Sequence, residues 1–166
     1  MASLFVVQCI EHIPDQSLNE LLSRYKLHLK TIKKEGVIPG SHWGDSEAGL
    51  IADTLFVRAD TPVHSALHEA CHFICMDSER RQALHTDAGG DYDEENAVCY
   101  LQILLSGQVT GNSPEQLMQE MDAWGYSFRL GSAAAWFYQD ADDARLWLLD
   151  SCLITPDNEP TWKLKD

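Results

Sequence analysis

The sequence predicts an α+β protein, and the order of its segments is the main reason. Short apolar segments rich in β-branched residues lie near the N-terminus, within residues 4–10 and 50–60. From residue 62 onward, apolar residues recur every three or four positions over longer segments, which is the period of an α-helix. We therefore expect a small N-terminal β-sheet followed by a mainly helical C-terminal half, within a single domain that spans residues 1–166.

The first two predicted elements are a strand and a helix. Residues 4–10, LFVVQCI, are short, apolar and β-branched, which favours a strand. Residues 17–36 carry apolar side chains at helical spacing, with Ser17 as a candidate N-cap and Glu20 completing a capping box. Gly36 is the expected stop signal of this helix.

A loop and a strand region separate this helix from the next one. Residues 37–49 contain three glycines and one proline, which indicates a loop or hairpin. Two apolar runs within residues 50–60 predict one or two strands. Thr61 is a candidate N-cap, and Pro62 occupies the first turn of a helix that should continue to about residue 77.

The C-terminal half is expected to consist of helices that follow a loop over residues 79–93. The segments 94–106 and 113–124 show helical spacing, and each is followed by a glycine. One or two further helices are expected between residues 131 and 153. The polar residues 155–166 are expected to form a loosely held tail.

Charge and cysteine content narrow the possible functions. Twelve Lys and Arg against 26 Asp and Glu give a formal net charge of −14, which opposes binding to nucleic acid or to an anionic membrane surface. No segment approaches the roughly 20 apolar residues of a membrane span, and the N-terminus lacks the basic flank of a signal peptide. Five cysteines without a CxxC pair favour reduced thiols. We expect a cytoplasmic protein with neither nucleic-acid nor membrane partners.

The predicted helix over residues 62–77 carries three histidines four residues apart. His64, His68 and His72 share one side of this helix, opposite an arc of apolar residues. His68 and His72 frame Glu69 in the pattern HExxH, in which two imidazoles hold zinc and the glutamate acts as general base. The competing interpretation is a helix whose histidines form only surface or core hydrogen bonds. For His64, a supporting, substrate-facing or exposed role is favoured over metal binding.

A catalytic zinc site needs a third protein ligand and one position open for water. The extended motif with a third histidine is absent, so the ligand is expected on the next helix. Glu94 falls within the apolar arc of that helix, where a carboxylate needs a cationic partner, and Glu95 lies on a more polar edge. We favour Glu94 and keep Glu95 as the alternative. Less favoured candidates are Asp91, Asp93 and His85.

The two helices together resemble those of gluzincin metallopeptidases. The first carries HExxH, and the second reads EENAVCY from Glu94 to Tyr100 and continues to a leucine pair, so that the resemblance covers residues 54–105. This form is similar to that of small cytoplasmic members that cleave transcriptional repressors. Where those families place Asn or Asp beside the ligand helix, this chain has Val98, so a hydrogen bond that supports a ligand must come from another residue.

The resemblance implies a zincin-like fold and a zinc-dependent metallopeptidase acting on a peptide or protein substrate. It implies that His68, His72 and Glu94 hold zinc and that Glu69 is the catalytic base for the attacking water. It further implies that substrate lies along an edge strand, for which residues 54–58 are the candidate. The group that stabilises the oxyanion stays open among Tyr92, Tyr100, His85 and His64.

A second functional interpretation comes from a different class of protein. The chain is in that case a catalytically inactive zinc-binding module, or one that uses its acidic surface to bind a protein partner. Acidity alone does not favour it, because solubility also explains a charge of −14.

Overall fold

The computed structural model describes residues 6–14, 16–41, 46–84 and 89–166, and the chain is α+β over these ranges. Three strands precede most of the helices, as the sequence predicts. The strands are β1 (His28–Thr31), β2 (Gly49–Ile51) and β3 (Thr54–Val57). The α-helices are α1 (Ser17–Ser23), α2 (Val63–Cys75), α3 (Ser78–Gln82), α4 (Tyr92–Ser106), α5 (Pro114–Trp124), α6 (Ala133–Gln139) and α7 (Asp142–Asp150).

The three strands form one mixed sheet in the order β1-β3-β2. β2 and β3 are antiparallel neighbours, which confirms the prediction of strands within residues 50–60. β1 pairs in parallel with the other side of β3. Because β3 is the central strand, the prediction that residues 54–58 form an edge strand for substrate is wrong.

Helix α1 is much shorter than the sequence suggests, so the prediction of one helix over residues 17–36 is wrong. Lys26 adopts a left-handed φ of 59°, and the backbone N–H of Leu27 turns back to the carbonyl of Leu22. The chain then enters β1, where pairing with β3 outweighs the local helical spacing. The predicted capping box is also absent, since the hydroxyl of Ser17 accepts a hydrogen bond from the backbone of Thr110 at 2.8 Å.

The predicted strand over residues 4–10 is wrong for the part that the structure describes, and its residues 4 and 5 lie outside the described ranges. Cys9 forms only an isolated bridge with Pro62, and Ile10–His12 is a 3-10 helix. Nδ1 of His12 accepts a hydrogen bond from the backbone of Cys9 at 2.9 Å, which stabilises the turn. The side chain of the last residue of this short helix thus competes with strand geometry for the backbone at its start.

The helix that carries HExxH forms where it is predicted, although the capping residue differs. Pro62 occupies the N-cap position of α2, while the hydroxyl of Thr61 accepts a hydrogen bond from the backbone of Arg58 at 2.8 Å. α2 contacts β2 and β3 on one side and packs against α4 on the other. Its apolar arc is fully buried, and the arc comprises Val63, Ala66, Leu67, Ala70, Cys71 and Ile74.

Helices α4 to α7 confirm the predicted helical C-terminal half. The prediction of a loop directly after α2 is wrong at its start, because residues 78–82 form α3. The side chain of Asp77 accepts a hydrogen bond from the backbone of Arg80 at 2.8 Å and caps this short helix. None of the helices in the described parts of the chain is long and apolar enough to cross a membrane.

The C-terminal residues 155–166 make specific contacts, which differs from the loosely held tail expected from their polarity. The backbone N–H of Lys165 donates to the carbonyl of Ile74 at 3.0 Å. The ring centroids of Trp162 and Tyr25 are 5.3 Å apart. The guanidinium carbon of Arg24 lies 3.4 Å from the ring centroid of Trp162. One aromatic side chain and a few backbone hydrogen bonds therefore hold a segment that has no regular structure.

Candidate metal site

The side chains of His68 and His72 converge on one point, because they lie one helical turn apart on α2. Their Nε2 atoms are 3.2 Å apart, and the two ring planes are nearly perpendicular. The side chain of His72 is almost fully buried, while that of His68 is partly accessible. Both Nε2 atoms therefore face the same space beside α2.

Glu95 on α4 completes the group, because α4 packs directly against α2. Oε1 of Glu95 lies 3.0 Å from Nε2 of His68, and its Oε2 lies 3.2 Å from Nε2 of His72. The side chain of Glu95 is 43% exposed, so this corner of the group faces solvent. His68, His72 and Glu95 each offer one ligand atom within a common radius that suits a metal ion.

The dimensions of this group match those of a tetrahedral zinc site. Bonds of about 2.0 to 2.1 Å at tetrahedral angles place ligand atoms roughly 3.3 Å from one another. The two Nε2 atoms are 3.2 Å apart, and the two oxygens of Glu95 lie 3.0 and 3.2 Å from them, one oxygen beside each histidine. Two imidazole nitrogens and one carboxylate oxygen are ligands that zinc accepts, and three protein ligands leave a fourth position open.

Glu94 does not join the histidines, so the preference for Glu94 over Glu95 is corrected. Its Oε2 lies 2.7 Å from Nη1 of Arg80, and its side chain is only 9% exposed. A Cβ at Gly90 would fall 2.3 Å from the carboxyl carbon of Glu94, so a side chain at this position would displace the carboxylate from its present place. The prediction that Glu94 is buried and needs a cation is confirmed, but the cation is a guanidinium on α3.

Gln102 on α4 fixes the orientation of the His68 ring. Its Nε2 donates to the backbone carbonyl of His64 at 2.7 Å, which directs its Oε1 toward Nδ1 of His68 at 2.9 Å. Because Oε1 only accepts, Nδ1 of His68 must carry a proton, and Nε2 of His68 is the nitrogen that faces the candidate site. Gln102 therefore supplies the supporting hydrogen bond that Val98 cannot provide.

The side chains of His68, His72 and Glu95 place two imidazole nitrogens and two carboxylate oxygens together. Burial lowers the pKa of His68, but Tyr126, Cys99 and Glu95 more than offset this effect and raise it well above its ordinary value. Burial raises the pKa of Glu95, but hydrogen bonds from His68 and His72 move it far below its ordinary value. The contact between His68 and Glu95 contributes to both shifts, because a positive charge beside the Glu95 carboxylate is favourable. A metal cation satisfies the same requirement.

Glu69 is the next residue after His68 and is placed differently from the three grouped side chains. It is partly buried and forms no hydrogen bond or ion pair with the described part of the chain. Burial raises its pKa, the imidazoles of His72 and His68 lower it, and the carboxylates of Glu95 and Glu47 raise it, with a net shift upward. A carboxylate with a raised pKa and no partner among the described residues, beside two histidines that could hold a metal, has the properties of a general base.

His64 is fully buried behind the site, and it is not among the residues whose ligand atoms converge there. Its Nδ1 lies 3.1 Å from the hydroxyl of Tyr126, and its ring contacts that of Trp124 edge-on. Burial, followed by the charge of His68, lowers the pKa of His64 to about 3, which keeps this imidazole neutral. The supporting role expected for His64 is therefore the one that its position allows.

The remaining sequence candidates lie outside this group or outside the described residues. Asp91 caps α4 by accepting a hydrogen bond from the backbone of Glu94 at 2.9 Å. The hydroxyl of Tyr100 accepts from Asn158 at 3.1 Å, away from the histidines. Tyr92 is 65% exposed at the start of α4. His85 lies outside the described residues.

Tyr126 is a residue of this site that sequence reasoning missed. It follows α5, its ring lies 5.7 Å from that of His68, and its hydroxyl lies 3.4 Å from Nε2 of Gln102. Burial raises the pKa of Tyr126 to about 12, so it remains a hydroxyl. A single aromatic residue after a helix gives no sequence signal. Gln102 does give one, because it shares the polar edge of α4 with Glu95.

A cleft of about 510 Å³ opens beside the grouped side chains. Glu95, Cys99 and Tyr126 form its wall next to the histidines. The rest of the lining combines three aromatic residues with three polar ones, namely Tyr92, Phe128 and Trp136 with Asn96, Ser127 and Arg129. Phe128 stacks parallel to Tyr126 and also contacts Trp136, so that the aromatic wall is continuous. The volume is within the range of ligand pockets.

Comparison with known proteins finds no matching protein family, no similar curated protein and no similar solved structure. The geometry of the site is therefore the basis for a functional proposal.

Proposed function

We propose that this protein is a zinc-dependent peptide hydrolase with a zincin-like fold. The observation that carries the proposal is the convergence of His68, His72 and Glu95: the two Nε2 atoms are 3.2 Å apart, and each lies 3.0 to 3.2 Å from one oxygen of Glu95. Glu69 lies beside this group and has no hydrogen-bond or ion-pair partner among the described residues. The resemblance to gluzincins through HExxH supports the same reaction. With Glu95 in place of Glu94, however, the second-helix pattern of that resemblance is shifted by one residue.

Three protein ligands favour a catalytic metal over a structural one. Structural zinc sites are closed by four protein ligands, whereas catalytic sites keep one position open. The exposed side of Glu95 and the adjacent cleft give substrate and water access to that position. The hydrogen bond from Nδ1 of His68 to Gln102 supports the same assignment, because metal-binding histidines commonly have such a partner.

The reaction assigned to the site is hydrolysis of a peptide bond. A zinc ion here would act as a Lewis acid that lowers the pKa of water to about 7 and polarises a carbonyl group. Glu69 takes a proton from the attacking water and returns it to the leaving amine. Gln102 holds the proton of His68 at Nδ1, which leaves Nε2 of His68 as the atom that would bind the metal. The buried His64 and Tyr126 hold this hydrogen-bonded network in place.

The preferred substrate is a peptide or protein segment without acidic residues near the scissile bond. Glu47, Glu69 and Glu95 place three carboxylates around the site, and the chain as a whole carries a charge of −14. Like charges brought this close are unfavourable, so neutral or basic segments are favoured.

The deciding experiment combines metal analysis with peptide hydrolysis. We expect the purified full chain to take up one zinc ion and to cleave quenched fluorescent peptides, with activity lost on chelation and restored by zinc. Glu69→Gln should retain zinc but lower kcat by a factor on the order of 10² to 10⁴. Glu79→Gln, an exposed change of the same kind on α3, is the matched control and should leave kcat unchanged.

Two results would overturn this proposal. Equal peptide hydrolysis by the Glu69→Gln variant and the unaltered chain would exclude Glu69 as the base. Tight zinc uptake without hydrolysis of any peptide in a diverse library would favour the inactive zinc-binding module.

A further inference from the structure

A second cavity, of about 730 Å³, lies away from the candidate metal site. It is bounded by the end of α1, the end of α7 and the C-terminal segment, and it shares no lining residue with the site around Glu95. Its volume falls within the range of cavities that hold small-molecule ligands. The peptide hydrolysis proposed for the metal site does not involve this cavity. What the cavity binds is therefore a separate question from that reaction.

The charge of this cavity is opposite to that of the protein. Four of the chain's 12 basic residues line it, against two of its 26 acidic residues. On a chain with a net charge of −14, an anion is repelled over most of the surface and attracted at this cavity. The basic residues are Arg24, Lys26, Lys163 and Lys165, and the acidic ones are Asp150 and Asp166.

Arg24 is held in a geometry that suits an oxyanion. Its guanidinium lies over the ring of Trp162, with 3.4 Å from its central carbon to the ring centroid, and Trp162 in turn packs on Tyr25. Among the described residues, the guanidinium of Arg24 has no hydrogen-bond or carboxylate partner. A planar guanidinium fixed by stacking keeps its N–H groups available for a bidentate contact with phosphate or carboxylate.

The backbone around the cavity is held in an uncommon conformation at three places. Lys26, Cys152 and Trp162 have φ values of 59°, 59° and 63°. These are three of the six non-glycine residues with positive φ in the described chain, and all three line the cavity. Left-handed backbone at non-glycine residues costs free energy and is concentrated at binding and catalytic sites.

We propose that this cavity binds a small polyanion through a phosphate or carboxylate group. The oxyanion lies against the N–H edge of Arg24, and the ammonium groups of Lys26 and Lys163 flank it. The wall formed by Trp162 and Tyr25 accommodates an apolar or planar part of the same ligand. A guanidinium can bind a phosphate and a carboxylate group in the same way. One phosphate probe and one carboxylate probe are therefore compared to learn which group the cavity prefers.

The test is calorimetric titration of the metal-free full chain with pyrophosphate and with citrate. Removing metal first prevents either probe from binding through zinc at the other site. We expect saturable binding of one molecule per chain, and the tighter probe identifies the oxyanion. A second measurement follows alkylation of the exposed Cys152 by a maleimide, which should slow when the cavity is filled.

Matched variants separate a specific site from general charge. Lys26→Gln combined with Lys163→Gln should weaken binding at least about tenfold. The control, Lys30→Gln combined with Lys33→Gln, makes the same charge change at exposed positions outside the cavity and should weaken it less than about twofold. Arg24→Lys keeps the positive charge but removes the paired N–H donors of the guanidinium, so it should also weaken binding.

Three results would each overturn the proposal. One is the absence of saturable binding of either probe up to on the order of 10 mM. Another is an equal loss of affinity in the cavity pair and the control pair. The third is alkylation of Cys152 at the same rate with and without a saturating probe. If Arg24→Lys unfolds the chain, the two exposed lysine pairs still decide the outcome.

Discussion

Oε1 of Glu95 lies 3.0 Å from Nε2 of His68, whereas the carboxylate of Glu94, one position earlier, faces Arg80. Successive residues on an α-helix point about 100° apart, so adjacent glutamates reach different neighbours. One glutamate therefore belongs to the candidate metal site and the other to an ion pair between α3 and α4.

Substitution of these two glutamates should separate metal binding from structural support. We expect Glu95→Gln to weaken zinc binding by more than the roughly 10- to 100-fold that is typical for loss of a residue supporting a ligand. Glu94→Gln, the matched control, should leave zinc affinity within about threefold of the unaltered chain. Competition with a chromophoric chelator measures both affinities. A larger loss in Glu94→Gln than in Glu95→Gln would restore Glu94 as the ligand.

Gln102 should set the zinc affinity without contacting the metal. Gln102→Met keeps the size of the side chain but removes the acceptor for Nδ1 of His68, which lies 2.9 Å from Oε1 of Gln102. We expect zinc affinity to fall about 10- to 100-fold, because the His68 tautomer is no longer fixed. Gln119→Met, an exposed change on α5, serves as the control and should not alter the affinity. Equal zinc affinities of the two variants would show that Gln102 does not support metal binding.

The ion pair between Arg80 and Glu94 should contribute to stability mainly by compensating a buried charge. Arg80→Met leaves the Glu94 carboxylate, 9% exposed, without its nearest cation. We expect the free energy of unfolding to fall by about 2 to 4 kcal/mol in urea titrations, since breaking one side of a buried pair is costly.

The double variant Arg80→Met with Glu94→Gln tests the cause of that loss. It should be more stable than Arg80→Met alone, because no unpaired carboxylate is left in the interior. A double variant no more stable than the single one would show that the cost comes from lost packing of the Arg80 side chain.

Glu120 should make stability depend on pH. It is fully buried on α5, and its Oε2 accepts a hydrogen bond from the backbone of Gln8 at 2.6 Å. Burial raises the pKa of Glu120 above the ordinary 4.5, while hydrogen bonds from Gln8, Gln116 and Asn112 partly oppose this. The folded state therefore keeps a proton at pH values where the unfolded chain has lost it.

The sign of that dependence follows from the raised pKa. The stabilising contribution of protonated Glu120 is complete below pH 4.5 and is lost as the pH rises through the folded pKa. We expect Glu120→Gln to gain stability relative to the unaltered chain over this interval, as measured by urea unfolding at a series of pH values. Glu115→Gln, an exposed change on the same helix, should show no such trend. A constant difference across pH would contradict the shifted pKa.

The fold was predictable from the sequence where a segment's own pattern decides its structure. α2 and α4 to α7 follow the spacing of their apolar residues, and β2 and β3 follow two short apolar runs. α1 was predicted too long because residues 28–31 carry a helical pattern but pair with β3. Hydrogen bonding to a distant strand outweighs local spacing, and spacing alone contains no information about that partner.

The sequence by itself determined which helix carries the site, because HExxH on one helical face brings two imidazoles and a carboxylate together through local geometry. Only the tertiary structure decided which residue of α4 completes the group and which one supports His68. Those choices depend on how α4 is rotated against α2 and on Arg80 lying where it neutralises Glu94. Contacts between helices set that rotation, whereas the repeat of a single helix sets only which of its own residues share a face.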